Sequence, residues 1–509
     1  MNIQELKEEY KEFAEVTRQF YAGEIPVAKY KGFSGGFGSY AQRGGKASML
    51  RLRLPGGRIN KDKLNFIADS IEKYQIDKLH FTTCQTVQLH NLDEKAVYEL
   101  MVEALDHDII TRGGGGDFPR NVMVSPLSGV EQGEYFDVTP YADAAADYLM
   151  GLIKTVKLPR KLKVGFSNSP ANVTHATYRD LGFVAKENGC FDVYSAGGLG
   201  NNPKMGVLVA EDVAPCRILY YIKAMVDMFT TYGNYENRAK ARSRYMQEVL
   251  GDNYVPEFQK KVELALKDDS LKEIEPKETV ITKTGEEEAI TDSRIIAQKQ
   301  KGLYAVVYHP AGGCPAPKQM LALREAVQEM EQVELRLSPD EKVYIINCTA
   351  KEAQIIIDLT PDSASNLFES SVACIGSSIC QVGLRDSQKL LHTLIDAAKE
   401  WNYADGVLPQ IHISGCPSSC GTHQTGRIGF RGASRRVDGK PVSAFLLCVN
   451  GREEQGCARF GEEIGTILEE DIPSFLKDLG KAVSDAGTDF ETWYENNEDT
   501  FKKIAQPYL

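Results

Sequence analysis

No stretch of this 509-residue chain reaches eighteen consecutive apolar residues, so a membrane-spanning helix is not expected. The opening "MNIQELKEEYKEFAEVTRQF" lacks the apolar segment of a secretory signal. It reads as a charged amphipathic helix, which makes the cytoplasm the expected location. Positive charge is in deficit: 59 Lys and Arg against 71 Asp and Glu give a net charge of -12. That argues against nucleic acid as a partner, though it permits a local basic pocket. A dinucleotide fingerprint is also missing. "SAGGLGNNPKMG" has Pro203 where a third glycine is needed, and "GGFGSYAQRGG" has no strand before it. The glycine loops are better suited to bringing backbone close to a large flat ligand. Finally, eleven cysteines is an odd number and suits a disulfide framework badly, so clustered thiols point to metal or redox work.

What is present starts with a repeat. Met49–Leu105 and Tyr304–Leu359 each read as strand, Gly-Gly turn, amphipathic helix, strand, short turn, strand, helix. Apolar residues fall at helical spacing in both copies (Leu64, Ile67, Ile71; Leu321, Leu323, Val327, Met330). This is a duplicated βαββα unit. The first copy opens with Arg51 and Arg53, for which Val306 and Tyr308 are the expected counterparts in the second, so the chemistry is expected against the first copy. Each repeat precedes a longer α/β segment, roughly 106–270 and 366–485. The charge-dense stretch between reads as a surface connector with some strand content, and the tail from about 486 as a helix.

The clustered thiols lie in "SSVACIGSSICQVG" and "ISGCPSSCGTHQTG". Cys374 and Cys380 are followed, after thirty-five intervening residues, by Cys416 and Cys420, in a setting of Gly, Ser and Pro. Four thiolates can close a zinc site or hold an iron–sulfur cluster. The five-residue first gap is loose for zinc, and small neighbours let backbone N–H groups approach the sulfurs of a cluster. Four unrelated buried thiols is the bland alternative. Cys190, Cys216, Cys314, Cys348, Cys448 and Cys457 stand singly and read as small core residues.

Cations collect in the first half. "KLHFTTCQTVQLHNL", read as one strand, puts His80, Thr82, Cys84, Thr86, Gln88 and His90 on one face: wet surface, or the wall of a polar ligand site. "MLRLRLPGG" contributes Arg51 and Arg53, "GGGGDFPRNVMVSP" Arg120, and "KLPRKLKVGFSNSP" Arg160, Lys161 and Lys163. Cations within apolar strands do not stay unpaired, and these strands bring no carboxylates, which favours a bound anion.

Together, "MLRLRLPGG", "TTCQTVQLH", "PRNV", "LPRKLK", "GGLGNN", "NRAKARSRYM" and the Cys-x5-Cys…Cys-x3-Cys pattern resemble the siroheme-containing sulfite and nitrite reductases, over about residues 35–485. The resemblance implies an α/β (α+β) fold of pseudo-two-fold duplicated architecture, with two ferredoxin-like half-units and two siroheme/iron–sulfur α/β domains. The corresponding divisions are 1–105, 106–295, 296–365 and 366–509. It implies that Cys374, Cys380, Cys416 and Cys420 hold one [4Fe–4S] cluster and that Cys420 also bridges to the siroheme iron. By position Arg51, Arg120, Lys161 and Lys163 match the family's substrate cage, and Thr82, Gln88, His90 and Arg160 match contacts to siroheme, whose eight carboxylates call for cations. No flavin or NADPH segment is evident, so the implied partner is ferredoxin or another small electron donor.

Two departures stand out. His80 and Cys84 occupy places where many relatives have arginine, and Ser418 stands where Asn is usual. Lys-x-Lys at 161–163 favours sulfite, reduced to sulfide with six electrons; Ser419 and Gly421 look more like the nitrite-to-ammonia members. A different class, a zinc- or cluster-stabilised binding protein without activity, would be colourless if zinc-loaded and would lack haem-like bands.

Overall fold

The computed structural model describes residues 3–277 and 280–509. They form two compact units: Met1–Gly198 with Pro203–Tyr308 and Pro315–Pro361, and Asp362–Leu509 with Leu199–Asn202 and His309–Cys314. No helix among the described residues is long and apolar enough to cross a membrane. The opening segment is a helix, Ile3–Tyr21, and the tail is another, Phe490–Ala505.

The duplication is present and more regular than the sequence suggests. In the first copy the strand Ser48–Leu52 pairs antiparallel with Val87–Leu92, which pairs with Leu79–Phe81; in the second, Tyr304–Tyr308 pairs with Val343–Cys348, which pairs with Glu334–Leu337. Even the irregularity is shared, between Ser48 and Leu50 and between Tyr304 and Val306. Arg51 lies opposite Gln88 and Val307 opposite Tyr344, so the true counterpart of Arg51 is Val307 rather than Val306, and that of Arg53 is His309 rather than Tyr308. The expected equivalence was one residue out of step, which in a strand swaps the two faces. The Gly-Gly turns match as well: Gly56, Gly57, Gly312 and Gly313 all have positive φ, and a Cβ on Gly57 would lie 2.8 Å from the Leu337 carbonyl.

A clasp that the sequence did not advertise recurs in both copies. Asn91 and Asn347 sit in the left-handed region at φ 59° and 63°. Gln42 Oε1 accepts from the Asn91 N–H at 2.9 Å while its amide donates to Asn91 Oδ1 at 2.8 Å; Gln298 makes the same two bonds to Asn347 at 2.7 and 3.0 Å. Asp93 and Thr349 then cap the following helices, Glu94–Glu103 and Ala350–Leu359. The half-units are fused: Arg58–Ile59 pairs with the second copy's Glu334–Leu337, and one apolar core runs from Leu50, Ile67 and Leu89 through Val306, Leu323 and Ile345.

The α/β segments are also copies. Met123–Val124, Val164–Ser167 and Leu181–Ala185 are parallel neighbours, continued antiparallel by Phe191–Ser195 and Val207–Val213. Val372–Ala373, Ile411–Ser414, Ile428–Val437, Lys440–Val449 and Glu462–Leu468 repeat that order and those directions in the second unit. Each sheet has its own core, around Phe166, Phe183 and Phe191 in one and Ile413, Phe430 and Leu447 in the other.

The connector does more than cross the surface. Besides the strand Ile295–Ala297, it supplies Ile281, which packs with Leu127, Val130, Val307, Tyr344 and Ile346 over the second copy's sheet, and Lys283, whose ammonium reaches the Asn347 carbonyl at 2.8 Å. Asn347→Ala removes its amide bonds to Gln298 and Gln332 and leaves a β-carbon residue in a left-handed conformation. A loss of about 2–3 kcal/mol is expected, read as a lowered thermal unfolding midpoint.

Candidate functional site

"KLHFTTCQTVQLHNL" is a hairpin rather than one strand. Thr82 N donates to Thr86 O at 3.0 Å and Gln85 N to Thr82 O at 2.9 Å, with Gln85 at φ 55°. The cross-strand pairing of His80 with Gln88 keeps the polar residues together, which is why the alternation was legible although the turn was not. The face is not wet surface: His80, Thr86, Gln88 and His90 are all buried. Gln85 points the other way and ties the turn to its neighbours, donating to the carbonyls of Val124 and Leu337 at 2.7 and 2.8 Å.

The buried histidines differ. His80 Nδ1 lies 3.2 Å from Gln88 Oε1 and its Nε2 3.4 Å from the buried carboxylate of Glu341. His90 Nδ1 lies 3.3 Å from Gln42 Oε1 while Nε2 has no partner among the described residues. Burial, reinforced by His80, Lys78 and Arg51, holds His90 well below the ordinary imidazole range, so it is neutral at pH 7. A buried ring nitrogen without a partner is what a polar ligand would satisfy.

The cations are arranged by backbone. Arg51 donates to Gly114 O at 2.7 Å; Arg120 donates to Gly114 O and Gly116 O at 2.9 and 3.0 Å; Arg53 donates to Arg112 O and Arg120 O at 3.0 and 3.2 Å. The glycine run makes this possible, since a Cβ on Gly115 would lie 2.3 Å from the Gly35 carbonyl. Acid partners or a bound anion were the expected alternatives, and main-chain carbonyls are a third answer for these three. They take some of the guanidinium N–H groups, though not Arg120 Nε, and leave the charge in place. Burial brings Arg53 down to about 9 and Arg120 to about 10, which keeps both protonated at neutral pH. Arg160 is different: Asp117 meets it at 2.8 Å and also pairs with Arg238.

Lys161 and Lys163 lie half-buried just ahead of the strand Val164–Ser167. Asp180, fully buried, fixes this segment by accepting from Lys163 N at 2.9 Å while holding the Arg242 guanidinium at 3.2 Å. Burial, with Arg179 and Arg242, lowers the pKa of the Lys163 ammonium against the pull of the Cys84 thiol. Burial raises the Cys84 thiol, but Lys163, Arg179 and Arg51 more than offset this and bring it down to about 6. Arg242, within the quoted "NRAKARSRYM", was given no role there, and Asp180 and Arg179 were missed in the sequence. Their signal was an Arg-Asp pair immediately ahead of the apolar run "LGFVA".

In the second unit, Cys374 follows the strand Val372–Ala373; its Sγ accepts from Gly415 N at 3.2 Å and lies 3.1 Å from Ser387 Oγ. Burial and then the Cys420 sulfur push the Cys374 thiol up to about 12, which places those two sulfurs within electrostatic reach. Cys416 and Cys420 flank a turn in which Ser419 N reaches Cys416 O at 3.4 Å, and Cys380 N donates to Gly376 O at 2.9 Å. Two positions of the loop have room for glycine alone: a Cβ on Gly421 would lie 2.1 Å from Ile413 O, and one on Gly415 2.5 Å from Arg385 O. No three His, Cys, Asp or Glu side chains among the described residues converge as a single metal ion requires. The structure brings the Cys374 and Cys420 sulfurs within reach of each other and puts a backbone N–H on the first, and thiols with N–H donors are the chemistry a [4Fe–4S] cluster takes.

The thiol loop "SGCPSSCGT" has a sulfur-free twin in "SNSPANVTH", starting at Ser167. Ser419 and Asn172 share a left-handed φ, as do Thr422 and His175, so Ser169 stands for Cys416 and Val173 for Cys420. Of the single cysteines, Cys348 and Cys448 are buried as expected. Cys190, Cys216 and Cys314 are only half-buried and Cys457 is exposed, a correction to their reading as core.

Comparison with known proteins bears on the whole arrangement. Residues 40–106 match the nitrite/sulfite reductase ferredoxin-like half domain, and residues 115–269 the nitrite and sulphite reductase 4Fe-4S domain. The chain is 26% identical over 464 residues to the ferredoxin–nitrite reductase of Synechococcus elongatus, covering 85% of each chain. It is 23% identical to a ferredoxin sulfite reductase of Mycolicibacterium paratuberculosis, covering 88% of this chain and 81% of the relative. Its fold is that of the Mycobacterium tuberculosis NirA protein, with a TM-score of 0.79, 21% identity and coverage of 98% and 96%. The 115–269 match contains the sulfur-free twin loop and none of the four clustered thiols.

Asp180→Ala would leave the Arg242 charge without its buried partner and free the Lys163 main chain. The expected outcome is about 3–5 kcal/mol of lost stability, measured by thermal unfolding; a midpoint equal to that of the parent protein would contradict this.

Proposed function

Because the chain belongs to the siroheme-containing, ferredoxin-dependent sulfite and nitrite reductases, and is an oxidoreductase, we propose that it reduces sulfite to sulfide with six electrons. The observation that carries this reading is that carbonyls position the guanidinium groups of Arg51 and Arg120 and no carboxylate pairs with either among the described residues. Arg51 and Arg120, with Lys161 and Lys163, are the groups we assign to the oxyanion, through charge-assisted hydrogen bonds.

The residues fit the cofactors that the family implies. Cys374, Cys380, Cys416 and Cys420 would hold a [4Fe–4S] cluster; Cys420, with Thr82, Gln88, His90 and Arg160, would also hold siroheme, for which the unpartnered His90 Nε2 supports a polar contact. Bound there, the pair would supply electrons singly to the substrate atom. The protein's own task is then protons and charge. Lys163, held below the ordinary ammonium range by burial, gives up a proton more readily than either arginine and is the group we assign to protonate a departing oxygen. Arg51 and Arg120 keep their protons and hold the anion in register. The donor in this reading is ferredoxin or another small electron-transfer protein, and the setting is the cytoplasm.

Nitrite reduction to ammonia is the second reading, favoured by the names of the Synechococcus elongatus and Zea mays relatives, both ferredoxin–nitrite reductases. Turnover of both anions by the purified enzyme with a viologen donor separates the two, and a strong preference for nitrite would reject sulfite. Lys163→Asn should lower sulfite turnover about ten-fold or more and shift the ratio towards nitrite; an unchanged ratio would remove the argument from Lys163. Cys374→Ser should lose iron and acid-labile sulfide together with the visible bands, whereas Cys448→Ser, buried in a strand, should keep them.

A further inference from the structure

The helix Ser387–Trp401 begins beside Cys374, and its first two residues hold the thiol segment. Ser387 Oγ donates to the Cys374 carbonyl at 2.6 Å and lies 3.1 Å from Cys374 Sγ. Gln388 Nε2 donates to the carbonyls of Ala373 and Gly312 at 2.8 and 2.9 Å. Both side chains are buried, so bulk water does not compete for them. The sulfur has a second donor, Gly415 N at 3.2 Å. The sulfur-free twin in the first unit separates these two donors. There Val124 pairs with Phe166 as Ala373 pairs with Ile413, which puts Ser125 in the place of Cys374. Ser125 Oγ accepts from Asn168 N at 3.1 Å, and Asn168 is the counterpart of Gly415. No side-chain hydroxyl meets Ser125 Oγ among the described residues. The backbone donor thus belongs to the duplicated fold, whereas the hydroxyl is an addition made where the sulfur is.

We propose that Ser387 is a positioning residue for the [4Fe–4S] cluster, and that its hydroxyl, hydrogen-bonded to Cys374 Sγ, raises the cluster's reduction potential. This rests on Cys374 being a cluster ligand, as proposed above, and is independent of which oxyanion is reduced. The sense of the bond follows from counting protons. A free thiol has a proton to place on Ser387 Oγ, and the hydroxyl then spends its own on the Cys374 carbonyl. A ligating thiolate has none, so across the 3.1 Å gap only the hydroxyl can donate. The Cys374 carbonyl keeps a donor when the hydroxyl turns, because Gln388 Nε2 lies 3.4 Å away. A hydrogen bond to a ligand sulfur withdraws electron density from it. It is stronger when the sulfur carries more negative charge, so it stabilises the reduced state over the oxidised one.

The test is a redox titration of the holoenzyme, followed by electron paramagnetic resonance of the reduced cluster, in the parent protein, Ser387→Ala and Ser387→Thr. With iron and acid-labile sulfide retained, Ser387→Ala should shift the equilibrium about three- to ten-fold towards the oxidised cluster, a fall in midpoint potential of about 30–60 mV. Ser387→Thr keeps the hydroxyl and should stay within about two-fold of the parent. An unchanged potential in loaded Ser387→Ala would overturn the proposal. So would a fall in Ser387→Thr as large as that in Ser387→Ala, since altered packing would then account for both. If Ser387→Ala does not load, Ser387→Thr decides: the parent's iron content and potential would support the hydroxyl, and failure to load would overturn its role. A parent protein that binds neither iron nor acid-labile sulfide would refute the cluster reading itself, and this proposal with it.

Discussion

The first unit depends on an asymmetry between two ways of satisfying a guanidinium. A carboxylate satisfies both its protons and its charge; a peptide carbonyl satisfies the protons alone. Arg51, Arg53 and Arg120 take the second course, against carbonyls that the glycine run brings close. These side chains thus hold their positive charge in a fixed place, with no carboxylate paired to them among the described residues. Arg160, tied to Asp117, shows the other course within the same region, and its contribution to the local field is correspondingly small.

Duplication supplies a comparison within the molecule. At the positions of Arg51, Cys84, Thr86 and Gln88 the second half-unit has Val307, Asp340, Lys342 and Tyr344, and it closes the face with its own ion pair and an apolar cap to which the connector adds Ile281. One backbone carries both outcomes. The α/β segments divide in the reverse sense, with thiols in the second and Ser169 and Val173 in their places in the first.

Much of this was legible because it rests on local periodicity. The repeated elements, the Gly-Gly turns, the thiol loops and the polar face around His80 are all patterns within a few residues of one another. What escaped depends on partners distant in sequence. The Gln42–Asn91 and Gln298–Asn347 clasps span about fifty residues each, and neither member has a distinctive setting. The role of Asp180 requires knowing that Arg242 returns to it, and the hairpin turn at Gln85 is held by Val124 and Leu337 rather than by a turn-forming residue such as glycine. The one-residue error in matching Arg51 came from aligning residue types where the strand register decides.

The pairing of Arg58–Ile59 with Glu334–Leu337 has a consequence for biosynthesis. The first half-unit emerges from the ribosome long before its edge strand has a neighbour, and until then the apolar residues that later contact Leu323 and Ile345 face solvent. Such high contact order slows folding and exposes a sticky intermediate. Nascent chains truncated anywhere before the second copy should therefore be chaperone clients, and the two halves, though built alike, are not separable modules.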